Sequence, residues 1–201
     1  MGFEIEYSAG QTPLDDDEKD GLLISTVTTK GELDEVEQRN IEKAIEWTLT
    51  RKLKKEIIFS EGFVRKLHRK MYGDVWKSAG EFRRTEKNIG VDPNQIGVNL
   101  KQLNGNCLHW IENKVYPDDE IAIRYKHELV KIHCFANGNG RHSRLMADII
   151  ISQVFNKPVF DWSRTNSNNI GEERGHYLKS LRDADKNNIK PLIKFANKKN
   201  E

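Results

Sequence analysis

An all-α domain carrying one short β-hairpin is the fold this sequence predicts, and three observations predict it. Apolar residues recur three to four apart in one stretch after another, which is the period of a helix with one buried face. Glycine and proline punctuation with strand-like residues is confined to one window, Gly80 to Gly97. The chain has 201 residues and two cysteines, enough length to close one core without staples.

The first thirty or so residues are polar, contain Thr12-Pro13 and the acidic run Asp15 to Glu18, and hold no sustained period, so residues 1–32 are expected to form an irregular N-terminal arm. Residues 33–201 then form the single helical domain. Its first helix is expected from near Leu33 to about Lys54, through Ile41, Ala44, Ile45, Thr48 and Leu49. A second begins at Ser60 as N-cap, with Phe59 and Val64 as a hydrophobic staple, and runs on the stripe Phe63, Leu67, Met71 to Gly73. Phe82 to Thr85 and Asn88 to Val91 read as two short strands around a turn at Glu86-Lys87-Asn88. Helical spacing returns from Asn94 to Lys114, weakened at Gly105. Pro117-Asp118-Asp119-Glu120 opens the next helix, which carries Ile121, Tyr125 and Leu129 and ends at His133. Leu145 to Val154 is strongly apolar, and Tyr177 to Leu181 and Leu192 to Phe195 mark two shorter helices.

Charge excludes more than it suggests. Thirty-three basic residues face 31 acidic ones, and a net charge of +2 with no basic stripe gives no drive toward nucleic acid or an anionic membrane. No run of about eighteen apolar residues occurs, the first ten residues lack a signal-peptide pattern, and two unpaired cysteines suit a reducing compartment. A cytoplasmic protein is therefore expected. His127, His133 and His142 lack the spacing of a helical zinc site.

The segment most specific to chemistry is His133-Cys134-Phe135-Ala136-Asn137-Gly138-Asn139-Gly140-Arg141-His142-Ser143-Arg144. A helix ends at His133 and another begins near Asn139, so the glycines between them free the backbone to turn N–H groups toward an anion at a positive helix terminus. Arg141 and Arg144 are three apart and project from one helical face, a spacing that grips successive phosphates. His133, with an ordinary pKa of about 6.5, is placed to take a proton from an attacking hydroxyl. Phe135 is expected to pin the loop to the core. Asp148 in the following helix is a candidate to cap a network or to orient His133 or Arg144.

This segment resembles the signature of the Fic family, H-x-F-x-[D/E]-G-N-x-R-x-x-R, at every fixed position but one. Leu67 to Gly73, Ala79 to Arg83 and Tyr177 to Leu181 resemble further parts of Fic domains, and the likeness runs from about Leu33 to Ala196. The chain, with Thr12-Pro13-Leu14-Asp15 and Gly31-Glu32-Leu33, also resembles the Fic subgroup called mobile mystery protein B.

The resemblance implies transfer of AMP from ATP to a Ser, Thr or Tyr hydroxyl of a target protein, with release of pyrophosphate. His133 would be the base, Gly138, Asn139 and Gly140 the anion hole, and Arg141 and Arg144 the holders of the β- and γ-phosphates. Arg84, Thr85, Glu86, Lys87, Asn88 and Ile89 would form a flap that aligns the target by strand addition. The departure is Asn137, which stands where the family has a carboxylate for Mg²⁺, so a weaker metal hold carried mainly by the ATP phosphates is expected. Two alternatives remain open: a non-catalytic or weakly active nucleotide-binding module, and transfer of a phosphoryl or another phosphate-linked group on the same fold. The family's inhibitory pattern [S/T]-x-x-x-E-[G/N] has no clean copy, since Thr28 and Glu32 are followed by Leu33 and Glu37 has Leu33 four residues before it. Glu32 and Glu37 are read as acids serving a helix N-terminus, and restraint, if present, is expected from a partner protein or the arm.

Overall fold

The computed structural model describes residues 21–24, 26–27, 29–162 and 170–197. Its first helix, α1 (Lys30–Leu49), starts earlier than expected because Thr29 and Glu32 close a reciprocal capping box. Residues 30–32 therefore belong to the helix and not to the arm, while the segment holding Thr12 to Glu18 lies outside the described residues. The helix also ends earlier, at Leu49, and the short α2 (Lys55–Ile58) follows a break. Gln153 explains the break: its side chain accepts from the Leu53 N–H at 2.9 Å and donates to the Thr48 carbonyl at 2.9 Å, so tertiary bonds replace the helical ones.

Ser60 caps α3 (Glu61–Tyr72), its hydroxyl accepting from the Phe63 N–H at 3.2 Å. Phe63, Val64, Leu67, Met71 and Tyr72 are buried along its inner face, as the stripe requires. After a turn at Pro93–Gln95 comes α4 (Ile96–Glu112), which continues through Gly105 because Leu100, Leu103 and Cys107 bury the face that holds it. The helix α5 (Asp118–Ile132) is central and packs against α4 and α6 (Asn139–Ile149), with a π-helical turn at Ile150–Val154 extending α6. Farther along, α7 (Ile170–Asp185) and α8 (Lys190–Asn197) pair with each other, and α8 leans on α5. Meanwhile α1 lies along α3, and α3 touches α6.

The expected hairpin is not formed. Residues 81–92 carry no strand, and 84–89 run as an irregular segment over the end of α5. Arg83 is the physical reason. Its guanidinium donates to the carbonyls of His133 (2.7 Å), Thr85 (2.8 Å) and Val91, taking up acceptors that a strand ladder would use. The only β-type pairing among the described residues is elsewhere, where Leu22 bridges Trp76 and the Leu23 N–H donates to the Val75 carbonyl at 2.8 Å. No helix among the described residues is long and apolar enough to cross a membrane.

Candidate active site

The site forms where the end of α5 meets the start of α6. His133 caps α5 with left-handed backbone, φ 55° and ψ 59°, so the chain leaves the helix abruptly and the imidazole is turned off the helical path. It is 4% exposed, and neither ring nitrogen has a hydrogen-bond partner among the described residues. Burial first, then the charges of Arg83 and Lys87, lower its pKa to about 4. The ring is thus neutral across the physiological range, with a lone pair available to a proton donor.

Behind it the loop is tied down from inside. Phe135 is 1% exposed and stacks on His68 at 3.7 Å between ring centroids, which fulfils its expected anchoring role. Asn139 closes the turn on itself, accepting from the Phe135 N–H at 3.0 Å and donating to the Phe135 carbonyl at 2.7 Å. Its side chain is therefore a brace, which leaves its backbone N–H as its contribution to an anion hole. Gly138 sits at φ 70°, and a Cβ there would lie 2.6 Å from the Tyr72 ring. Glycine is required at that position on both counts. Gly140 has open space around its Cα, so no close approach demands a glycine there.

His68 is a site residue that no pattern in the chain singles out. The Gly80 N–H donates to its Nδ1 at 3.0 Å, so the ring proton sits on Nε2, which donates to the Asn137 carbonyl at 3.2 Å. Burial, with His142 nearby, holds its pKa well below the usual range and keeps it neutral for that role. One imidazole thus couples the base of the flap to the phosphate loop. Its signal was only the spacing of a core residue on α3, which many structural histidines share. The Asn137 side chain has no hydrogen-bond partner among the described residues, whereas its carbonyl also accepts from Asn139.

The two arginines are brought to one face but into different surroundings. Arg141 pairs with Glu37 at 2.5 Å and lies 5.3 Å over the Tyr72 ring. Arg144 lies 6.0 Å from the Tyr177 ring centre, and the buried Lys126 approaches the same ring at 4.5 Å. Glu37 corrects an expectation. It is 3% exposed in the middle of α1, not at its N-terminus, and Trp76 donates its indole N–H to the other carboxylate oxygen at 2.6 Å. α1 brings it alongside α3, close enough to reach across to Arg141, and no local signal in α1 announces that reach. Glu32, by contrast, does serve the helix start as expected.

Asp148 caps a small network, and the charge of Arg144 is felt at its carboxyl. It accepts from the Trp162 indole N–H at 3.0 Å and the Phe160 N–H at 3.2 Å, and burial pushes its pKa up to about 7. Cys134 is fully buried, and burial raises its thiol to about 12, which makes it a packing residue. His142 donates its Nε2–H to the Val64 carbonyl (3.0 Å), and His127 meets Asp185 at 2.9 Å, so these two histidines have partners away from the loop. The chain after residues 84–89 packs close against His133: a Cβ on Gly90, at φ 111°, would lie 2.7 Å from the His133 Cβ.

The chain is 30% identical over 134 residues to the protein adenylyltransferase Fic of Drosophila grimshawi, and 28% identical over 134 residues to that of Aedes aegypti. Each alignment covers 64% of this chain and about a quarter of the relative, 26% and 25%. The chain thus spans only a minor part of the length of these curated relatives. Among solved structures, BepC of Bartonella tribocorum, crystallised with bound AMPPNP, superposes with a TM-score of 0.68 at 16% identity, over 93% of this chain and all of that one. Fic-1 of C. elegans (residues 134–508) superposes with a TM-score of 0.66 at 23% identity, over 89% of this chain and 51% of that one. The model of the Fic/DOC family matches residues 58–151, which span the helix α3, the flap, the loop and both arginines. Residues 58–151 of this chain thus match the Fic/DOC family model, on a fold shared with solved Fic domains.

Proposed function

We propose that this protein is a protein adenylyltransferase that moves AMP from ATP to a hydroxyl of a target protein. The observation that carries the proposal is His133: a buried, neutral imidazole with both nitrogens unpartnered, at the mouth of a loop that opens α6 and is followed by two arginines. In the reaction the target hydroxyl oxygen attacks the α-phosphorus of ATP, and the bond to the bridging oxygen of the β-phosphate breaks. Pyrophosphate leaves, and the hydroxyl proton passes to His133. Backbone N–H groups from Gly138 to Gly140, at the positive end of α6, and the guanidiniums of Arg141 and Arg144 would hold the triphosphate. The names of the curated relatives and the AMPPNP-bound BepC structure support ATP as substrate.

Mg²⁺ fits this site only as a phosphate-borne ion. No group of three or more His, Cys, Asp or Glu that could hold a metal occurs among the described residues, and the chain's own donor at the loop is the neutral Asn137 side-chain oxygen, which has no competing protein partner. Mg²⁺ would neutralise phosphate charge when it arrives with ATP. The same residue, with Glu37 already on Arg141, favours a second reading: a nucleotide-binding module of weak turnover. The opening Gly31-Glu32-Leu33 of α1 supports placement in the subgroup called mobile mystery protein B, and the absence of a basic stripe supports a cytoplasmic protein that binds neither nucleic acid nor membrane.

Incubation with ATP labelled at the α- or γ-phosphate, with cell lysate as source of targets, tests these readings. Label on protein from the α-position supports AMP transfer; label from the γ-position overturns it in favour of phosphoryl transfer. Nucleotide binding with no transfer from either label leaves the binding module. His133→Ala is expected to lower AMP transfer by roughly 10²- to 10⁴-fold with ATP binding retained. Unchanged transfer would remove His133 as the base.

A further inference from the structure

Beside the flap, between α3 and the turn that precedes α4, a cleft of about 460 Å³ is lined by Arg65, Phe82, Arg83, Arg84, Pro93 and the single carboxylate Glu81, with Asn94 at its edge. Three guanidiniums in one cleft call for an explanation, and the fold supplies one for Arg83 alone, which binds three backbone carbonyls. Arg65 is held still without being used up. Its Nε donates to the Gly80 carbonyl at 2.9 Å, its Nη1 reaches the half-exposed Glu61 at 3.3 Å, and its guanidinium lies 5.2 Å over the Phe82 ring. Its Nη2 has no acceptor among the described residues. Arg84 is exposed and makes neither a hydrogen bond nor an ion pair among them. Stability does not ask for that charge.

A fixed guanidinium stacked on an aromatic ring, beside a second one that is unpaired, matches the planar, bidentate geometry of a carboxylate. The cleft is also continuous with the flap, because Arg84 is at once its wall and the first flap residue. A polypeptide laid along 84–89 would bond through its backbone, and its alternate side chains would fall to one side, where this cleft lies open. Backbone pairing of that kind is indifferent to sequence; a charged pocket next to it is not.

We propose that this cleft is a specificity pocket that takes an acidic side chain, Asp or Glu, of the target polypeptide, bound by Arg65 and Arg84 while the target backbone lies along the flap. The proposal rests on the AMP-transfer reading for the identity of that polypeptide as a target.

The test titrates the full chain, without nucleotide, with short synthetic peptides that carry one hydroxyl residue and either Glu or Gln at each flanking position, following the NMR signals of the arginine Nε–H groups. A Glu peptide is expected to bind roughly tenfold tighter than its Gln twin and to shift the Arg65 and Arg84 signals. Arg84→Gln should erase the preference, and Arg84→Glu should turn it toward Lys peptides. Equal binding of the Glu and Gln peptides, or a preference that survives Arg84→Gln combined with Arg65→Gln, overturns the pocket. Because no ATP is present, a chain that prefers Glu peptides but transfers no AMP would keep the pocket and count against the activity. A chain that transfers AMP with no such preference would do the reverse.

Discussion

Two irregular segments meet over His133, and they are held in opposite ways. The phosphate loop, residues 137–140, is fastened from within by buried side chains: His68 and Asn139 on its carbonyls, the Phe135 ring beneath and the Tyr72 ring against Gly138. The segment 84–89 is held at its ends, by the Arg83 guanidinium and by the backbone bonds from Arg83 to Cys134 and from Val91 to Ile132, while the backbone of Glu86, Asn88 and Ile89 makes no hydrogen bond within the described residues. On the proposed function, a loop that presents N–H groups to one phosphate geometry would gain from being over-determined. A segment that accepts a second polypeptide would gain from keeping part of its backbone free to pair.

The comparison can be broken most directly at Gly138. Gly138→Ala forces a Cβ into the Tyr72 ring at a left-handed φ and is expected to cost about 3 kcal/mol of stability. A thermal or denaturant unfolding curve reads this, and a loss below about 1 kcal/mol would show the loop to be looser than its contacts imply. Arg83→Met comes next, at roughly 2 kcal/mol, because it leaves carbonyls unpaired near the buried His133. Hydrogen exchange should quicken at residues 85–91 and stay unchanged at 137–142; if both segments loosen together, they are one unit.

The same substitution sharpens the electrostatics. In the native chain burial and Arg83 lower the pKa of His133 to about 4, so the ring is neutral above that pH and, on the proposed function, AMP transfer is expected to fall off only as pH drops through about 4. Removing the Arg83 charge raises that pKa, so the acid limb of the rate profile should move to higher pH. A limb that stays in place would mean that the charge of Arg83 is not felt at the ring.

A smaller effect is expected at the arginine end. Glu37→Gln keeps an oxygen for the Trp76 indole N–H and deletes the charge that holds Arg141, so ATP should bind about tenfold tighter by calorimetry. Equal affinity would mean that Glu37 does not compete with phosphate. Asn137→Asp is expected to act last and least, as a few-fold gain in ATP affinity seen only at limiting Mg²⁺. The same gain at saturating metal would argue that residue 137 acts on the phosphates by some route other than the ion.

Glu37 is also the clearest place where the site exceeded what the chain displays. The sequence holds no clean copy of the family's inhibitory pattern, and Glu37 reads as an acid serving a helix N-terminus. The structure instead sets Glu37 on the earlier arginine, Arg141, from a helix more than one hundred residues away in sequence. Side-chain reach across a helix pair depends on how α1 lies along α3, and no spacing within α1 encodes that. The missing hairpin has a similar origin. Phe82 to Val91 alternates well enough to pair, yet the partner for its carbonyls is a single guanidinium within the segment, a competition visible only once Arg83 is seen to fold back.

What the sequence determined by itself was everything of short range: the helical periods, the Ser60 cap, the end of α5 at His133, the glycine that lets the loop turn, and the pair of arginines one turn apart. Such features depend on backbone preference and on neighbours within a turn or two, which a linear chain displays. Tertiary structure alone decided the states of those groups: that His133 is buried and neutral, that His68 joins flap to loop, that Arg141 is already occupied, and that Arg65 and Arg84 share a cleft. Burial and through-space charge set these states. Both are properties of what surrounds a residue in the folded molecule, and the order of residues along the chain does not carry them.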